Sequence, residues 1–291
     1  MKTYKLKKQL TDSQCEKLKT KFLTNKNFDL LINEDSDGYD MNGNLLFRFR
    51  KNAIPIETLK LGVDSFKKSI SPGGGRGVAA GGYINIVKKD GTKSNFDTSP
   101  IVESGNVGFM DARPGSGVVA TCRKTAFAKE YFDQFNKGIP FVKFVDEKYR
   151  ELCPEHYAKQ KAIADGTNRN YVISDTSFTT VTVNKNFRTA VHKDSGDYPD
   201  GFGNLIAYRE GNWSGGYFCL PQFRVAIDLQ NTDMLFVDVH QWHGNTDFIN
   251  TDENWLRISF VLYYREYMYK CKSPKEELFN IKMNQTGFLK L

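Results

Sequence analysis

The chemistry in this chain is concentrated in FRTAVHKDSGD, residues 187–197. There His192 and Asp194 follow TSFTTVTV, a run that reads as a β-strand. Side chains at i and i+2 of a strand point to one face, so an imidazole nitrogen and a carboxylate oxygen can converge on one point. The chain has only four histidines, and two of them, His240 and His243, follow a later strand in TDMLFVDVHQWHGNTD. On spacing alone either could be a third ligand. Two histidines and one carboxylate on one face of a metal suit non-haem Fe(II), because three positions stay open for a bidentate co-substrate and O2. Zinc more usually takes a fourth protein ligand or holds a single water. The next strand puts Arg257 and Ser259 on a shared face. An arginine fork binds a carboxylate bidentately and a neighbouring hydroxyl adds a bond, which makes the pair a receptor for the distal carboxylate of 2-oxoglutarate.

These residues need a rigid frame, and the second half of the chain supplies one. SFTTVTV, NLIAYRE, GGYFCLP, FRVAIDL, DMLFVDV and RISFVLYYREY are β-branched or aromatic runs bounded by Gly, Asn, Asp or Pro. Six short strands at near-even spacing predict a double-sheet jelly roll or a barrel. Upstream, residues 10–25 predict a helix capped by Thr11 or Asp12, and residues 54–70 a second one stopped at Ser71-Pro72. A glycine-rich loop, SPGGGRGVAAGG, then leads into a strand, and residues 125–166 turn helical again with breaks near Pro140 and Pro154. The expected class is α+β, with helices packed on the β core. Residues 1–70 form an N-terminal helical region and 71–291 the main domain, the two packing as one unit.

Composition narrows the function classes. A chain of 291 residues, 40% hydrophobic, buries a sizeable core. No apolar run approaches the roughly 20 residues of a membrane span. The basic first ten residues lead into polar sequence without the apolar stretch of a secretory signal. The expectation is a soluble intracellular protein of cytoplasm or nucleus, with no membrane and no obligate protein partner. Five cysteines form no C-x-x-C pair and no even framework, which predicts buried thiols in a reducing compartment. A net charge of +7 is compatible with a polyanionic partner.

The strands TVTVNKNFRTAVHKDSGD, GGYFCLP, VAIDLQNTDMLFVDVHQWHGNT and RISFVLYYRE resemble the double-stranded β-helix of Fe(II)/2-oxoglutarate-dependent dioxygenases, and within them the TET/JBP group. The resemblance covers about residues 171–266 and is weaker in RGVAAGG and SNFDTSPIVESGNVGFMD. It implies iron on His192, Asp194 and His243, with His240 left over, and 2-oxoglutarate on Arg257 with Ser259. It implies O2-dependent hydroxylation of the C5 methyl of 5-methylcytosine or thymine in DNA. The same fold also carries oxygenases of free nucleosides, RNA or protein side chains. Reaching a base in duplex DNA would require extruding it into a pocket. Asn95 and Ser104 are substrate-side candidates by resemblance. Arg76 is one because its flanking glycines permit close approach, and Arg188 because it precedes the metal strand end. Trp242 and Tyr217 are aromatics that either stack on a flipped base or belong to the core.

Overall fold

The computed structural model describes residues 1–73, 76–82, 84–87, 93–96, 100–112, 121–249 and 251–285, with backbone alone for 84–87, 93–96 and 283–285. The chain opens with β1 (Lys2–Leu6), α1 (Asp12–Glu16), β2 (Leu30–Ile32), β3 (Ser36–Asp40) and β4 (Leu45–Arg50). Then come α2 (Ile56–Phe66), β5 (Ser71–Gly73), β6 (Ile84–Val87), β7 (Lys93–Phe96) and β8 (Val102–Met110). The middle holds β9 (Arg123–Lys124), α3 (Ala126–Glu130), α4 (Phe132–Lys137), α5 (Ile139–Leu152) and α6 (Pro154–Asp165). The strands β10 (Thr180–Lys185), β11 (Gly203–Glu210), β12 (Ser214–Gly215), β13 (Phe218–Leu220) and β14 (Val225–Ile227) follow. The last elements are β15 (Met234–Val237), β16 (Gly244–Asn245), β17 (Phe248–Ile249), β18 (Leu256–Tyr263) and α7 (Pro274–Gln285).

A large sheet runs β1-β3-β4-β15-β11-β18-β10-β8-β5, with β9 attached to β8, and a small one runs β16-β13-β14-β2. The strand period of two explains how they layer. Leu205 and Ala207 on β11 and Leu235 and Val237 on β15 pack with Phe218, Leu220, Val225 and Ile227 of the small sheet. Ile206, Met234 and Phe236, the residues in between, point the other way into a core shared with α2 and α5. Tyr149 of α5 stacks on Phe236 at 5.9 Å, and Phe141 meets Phe260 of β18 at 5.0 Å. The large sheet is therefore buried on both faces: helices behind it, the small sheet in front. This is a mixed α+β architecture.

All six expected strands are present. The region before residue 70 departs from the helical expectation, because β1, β3 and β4 extend the large sheet and β2 edges the small one in parallel with β14. The first helix is also shorter than its pattern. Thr11 and Gln14 form a reciprocal capping box, but after Glu16 the backbone is claimed elsewhere. Thr20, at φ 67°, donates its N–H to the Val191 carbonyl, and Val191 donates to Lys21. The helical region breaks near Pro140 and Pro154 as expected, and each proline sits in the first turn of the helix that follows the break, α5 and α6. The thiol expectation is corrected too. Cys122 and Cys271 form a disulfide, while Cys15, Cys153 and Cys219 are free and buried.

Candidate active site

His192 and His243 come from segments that meet as an isolated antiparallel bridge between the two sheets. Each backbone N–H donates to the other's carbonyl at 2.9 Å, which fixes the ring centroids 4.2 Å apart. Asp194 is tied by its own N–H to the Val239 carbonyl at 3.1 Å. Its carboxylate stands 3.5 Å from His192 Nε2 and 3.7 Å from His243 Nε2, so one ligand atom from each residue lies within 4.8 Å of the others. Both imidazoles are oriented from behind. His192 Nδ1 bonds the Ala190 carbonyl at 2.7 Å and His243 Nδ1 the Gln241 carbonyl at 2.9 Å. A carbonyl accepts only, so each Nδ1 carries a hydrogen and each Nε2 is the nitrogen turned toward Asp194, able to ligate a metal once unprotonated.

The electrostatics favour a cation at this point. Burial disfavours the charged carboxylate of Asp194, but the hydrogen bond from His192 and the charges of the nearby imidazoles outweigh it and hold the group at about 2. Burial and the neighbouring His192 push His243 down to about 4, so its ring is neutral at physiological pH. Burial alone would also lower His192, yet its bond to Asp194 lifts it above its ordinary value. A fixed anion beside two aimed lone pairs is a donor set that Fe(II) fits. His240 is elsewhere: both its N–H and its Nδ1 engage Asp238 Oδ1 at 3.0 Å. Among the described residues, His192, Asp194 and His243 form the one group of metal-competent side chains.

The three open into a cavity of about 450 Å³ between the sheets. Arg257 and Ser259 line it from β18, both more than nine-tenths buried. Among the described residues no carboxylate pairs with the Arg257 guanidinium, which lies over the Phe248 ring at 6.0 Å. Burial, reinforced by Arg209 directly across the sheet, pulls Arg257 down to about 10, which still leaves it charged at neutral pH. Arg209 is already engaged with Asp228 at 3.4 Å. A buried cation with no carboxylate partner among the described residues is a site suited to an anion.

The substrate-side candidates separate. Arg76 lines the cavity, its Nε donating to Ser104 Oγ at 2.7 Å, so Ser104 stands behind it as a support. Arg188 is not among the lining residues. It pairs with Asp247 at 2.7 Å, bonds the Leu23 carbonyl and covers the Phe22 ring. Asn95 lies on β7, where side chains fall outside the described residues. Trp242 is core, packed with Cys15, Val191 and Cys219, and Tyr217 packs against that cluster. The cavity also takes Asn106, Thr182, Tyr263 and Arg265, which the sequence reading passed over. Tyr263 was within reach of it, because positions 257, 259, 261 and 263 share one face of a strand.

Three metal-competent side chains, two of them joined by a backbone bridge, with an arginine lacking a counter-ion among the described residues one strand away, fit one class: an Fe(II)- and 2-oxoglutarate-dependent oxygenase. Comparison narrows this. Residues 108–266 match the Tet_JBP model, described as the oxygenase domain of the 2OGFeDO superfamily, and the chain belongs to that family. It is 30% identical over 257 residues to thymine dioxygenase JBP1 of Trypanosoma brucei brucei, covering 84% of this chain and 29% of that protein. To the JBP1 of Crithidia fasciculata it is 37% identical over 175 residues, 60% of this chain and 21% of the relative. The chain thus spans under a third of the curated relatives it matches. In fold it is similar to NgTET1, solved in complex with 5mC DNA, with a TM-score of 0.59 at 14% identity over 87% of this chain and 86% of that one. No helix among the described residues is long and apolar enough to cross a membrane.

Proposed function

We propose that this protein hydroxylates the C5 methyl of a pyrimidine base in DNA, with the two facing sheets serving as a double-stranded β-helix. His192, Asp194 and His243 hold the Fe(II), and Arg257 with Ser259 holds the distal carboxylate of 2-oxoglutarate. Iron bound there would supply O2 activation, turning 2-oxoglutarate into succinate and CO2, with one oxygen atom kept in the succinate and the other passed to a substrate C–H bond. The chain's own part is positioning. The Ala190 and Gln241 carbonyls hold both rings by Nδ1, so each Nε2 would face the metal, and Arg257 would hold the co-substrate's far end.

The observation that carries this reading is the convergence of Arg257, Ser259 and the three metal-competent side chains on one cavity. The DNA substrate draws on the relatives, named thymine dioxygenases, and on NgTET1, solved with 5mC DNA. Charge is consistent with it. The first 24 residues hold seven lysines against Asp12 and Glu16, and this segment pairs through Thr20 and Lys21 with Val191, beside His192. A basic strip there would offset phosphate charge and the few kcal/mol lost on unpairing a base. The test is anaerobic loading with Fe(II) and 2-oxoglutarate, then air and DNA carrying thymine with or without 5-methylcytosine. Digested nucleosides are read by mass spectrometry, with succinate measured alongside. One added oxygen on one pyrimidine, abolished by Asp194→Ala, is the expected result. Succinate with no modified base would keep the oxygenase and remove DNA as its substrate.

A further inference from the structure

Two side chains with no ligand chemistry of their own sit inside the metal-ligating segments. Lys193 stands between His192 and Asp194, and Trp242 directly precedes His243. The Lys193 Nζ lies 4.9 Å from the centre of the Trp242 ring and 3.9 Å from Asp12 Oδ1. One ammonium therefore reaches both ligand-bearing segments and a third element, the first turn of α1. Asp12 is itself held, because Gln222 Nε2, just after β13, donates to its Oδ1 at 3.2 Å.

Around this contact the N-terminal segment runs as a strap across the segment that carries His192. Gln9 and Leu10 donate their N–H groups to the Gln222 carbonyl at 2.8 and 3.2 Å. Cys15 and Leu23 pack with Val191 and Trp242 in one buried cluster. Thr20 donates to the Val191 carbonyl at 3.0 Å, and Val191 to the Lys21 carbonyl at 2.9 Å, one residue before His192. Farther back, Arg188 bonds the Leu23 carbonyl and covers the Phe22 ring. Residues 9–24 lie outside the 108–266 that the family model matches.

The ion pair between Lys193 and Asp12 joins part-exposed groups and contributes little to folding by itself. The contact with Trp242 is different, since that ring is 6% exposed and a cation over a buried ring is held more firmly. The bridge between His192 and His243 fixes their backbones. Lys193 on Trp242 ties together the side chains that flank the two rings, which sets how each ring presents Nε2. An ammonium has no lone pair, so Lys193 cannot itself be a ligand.

We propose that Lys193 is a positioning residue through which the N-terminal strap, by way of Asp12 and Trp242, sets the spacing of the Fe(II) ligands. The inference rests on the metal-centre reading above.

The test is anaerobic titration of the full chain with Fe(II), and with Co(II), whose visible spectrum reports ligand geometry. Lys193→Met keeps the apolar stem and removes the charge; Lys193→Arg keeps a cation on the ring. Lys193→Met is expected to weaken both metals about tenfold, the low end for groups that support metal ligands, and to change the Co(II) spectrum. Asp12→Asn is expected to act in the same direction more weakly, and Lys193→Arg to retain wild-type affinity and spectrum. The melting temperature of the metal-free protein should stay close to wild type in all three. Asp12, its side chain 68% exposed, carries the test if Lys193→Met does not fold. Unchanged Kd and spectrum in both Lys193→Met and Asp12→Asn overturn the inference and leave the oxygenase reading standing. A loss that tracks a fall in metal-free melting temperature, and that arginine does not restore, overturns it too, because it reports fold stability alone. Metal binding by wild type that Asp194→Ala does not diminish ends the metal-centre reading and the inference together.

Discussion

At the scale of single residues, the site depends on groups held in states that water would not choose. Arg257 is the plainest case. Its buried guanidinium stays charged without a counter-ion, its affinity for a proton lowered to about 10 by burial and by Arg209. The unfolded arginine, near 12.5, holds its proton more tightly, so this group costs stability at all pH values below about 10 and the cost fades as pH rises through that value. Arg257→Gln should therefore raise the melting temperature of the apo protein, while the further rise on adding 2-oxoglutarate disappears. Truncating one partner of a buried charge pair typically costs 2–5 kcal/mol, so the variant's Kd for 2-oxoglutarate should weaken by about 100-fold, with Fe(II) affinity nearly unchanged. Thermal shift and calorimetric titration measure both; an unchanged Kd would remove Arg257 from the co-substrate site. His192, Asp194, Arg257 and Ser259 were legible because a strand's period of two puts each pair on one face. His243 needed the resemblance to separate it from His240. Asn106 and Thr182 were not legible, because the register of β8 on β10 that joins them is set by tertiary packing rather than by any local pattern.

At the scale of elements, the turn from β15 to β16 delivers His243, and a pair of side chains braces it. Asp238 accepts from the His240 N–H and engages its Nδ1, and also accepts from Gln241 Nε2 at 2.7 Å. The bond to Asp238 lifts His240 above its ordinary value of 6.5, against the effect of burial. Burial works to raise Asp238, but the bonds from His240 and Gln241 prevail and hold it below 3.8. The His240 contribution to stability is complete below 6.5 and is lost as pH rises through its raised value. The Asp238 contribution is present above 3.8 and is lost as pH falls through its lowered value. The brace should thus be strongest under mildly acidic conditions. In urea denaturation, the stability lost in His240→Ala is expected to be larger at pH 5.5 than at pH 8.5; a loss independent of pH would assign His240 a packing role alone. The six strands of the second half were readable from composition and spacing. The N-terminal strands were not, since β1 and β2 are short edge strands whose pairing partners lie far away in sequence. The early helix was over-read because helical periodicity continued past the point where Val191 takes over the backbone bonds.

At the scale of the whole molecule, the wall carrying Asn106 and the strand carrying Tyr263 are fastened together beyond the cavity. The Cys122–Cys271 disulfide joins the segment after β8 to the segment after β18, across 149 residues of sequence. Glu277 reinforces the junction, its carboxylate accepting from the Cys122 N–H at 3.2 Å and the Lys272 N–H at 2.8 Å, which docks α7 on the same spot. No cysteine count could have shown this pair, because the two thiols meet only once both strands are in the large sheet. Closing so long a loop removes freedom mainly from the unfolded chain, a gain of typically 2–4 kcal/mol. Such a bond persists only where thiols are not kept reduced, so both compartment and redox state bear on how firmly the wall is held. The Cys122→Ser/Cys271→Ser protein should melt roughly 5–10 °C below oxidised wild type, taking about 2–4 °C per kcal/mol for a larger domain. Dithiothreitol should bring wild type down to the same value and leave the double variant where it is. If reductant moves neither protein, the two cysteines contribute packing but no covalent tie, and beyond the β8-β10-β18 ladder the two segments are joined by the Asp111–Arg265 pair and Glu277.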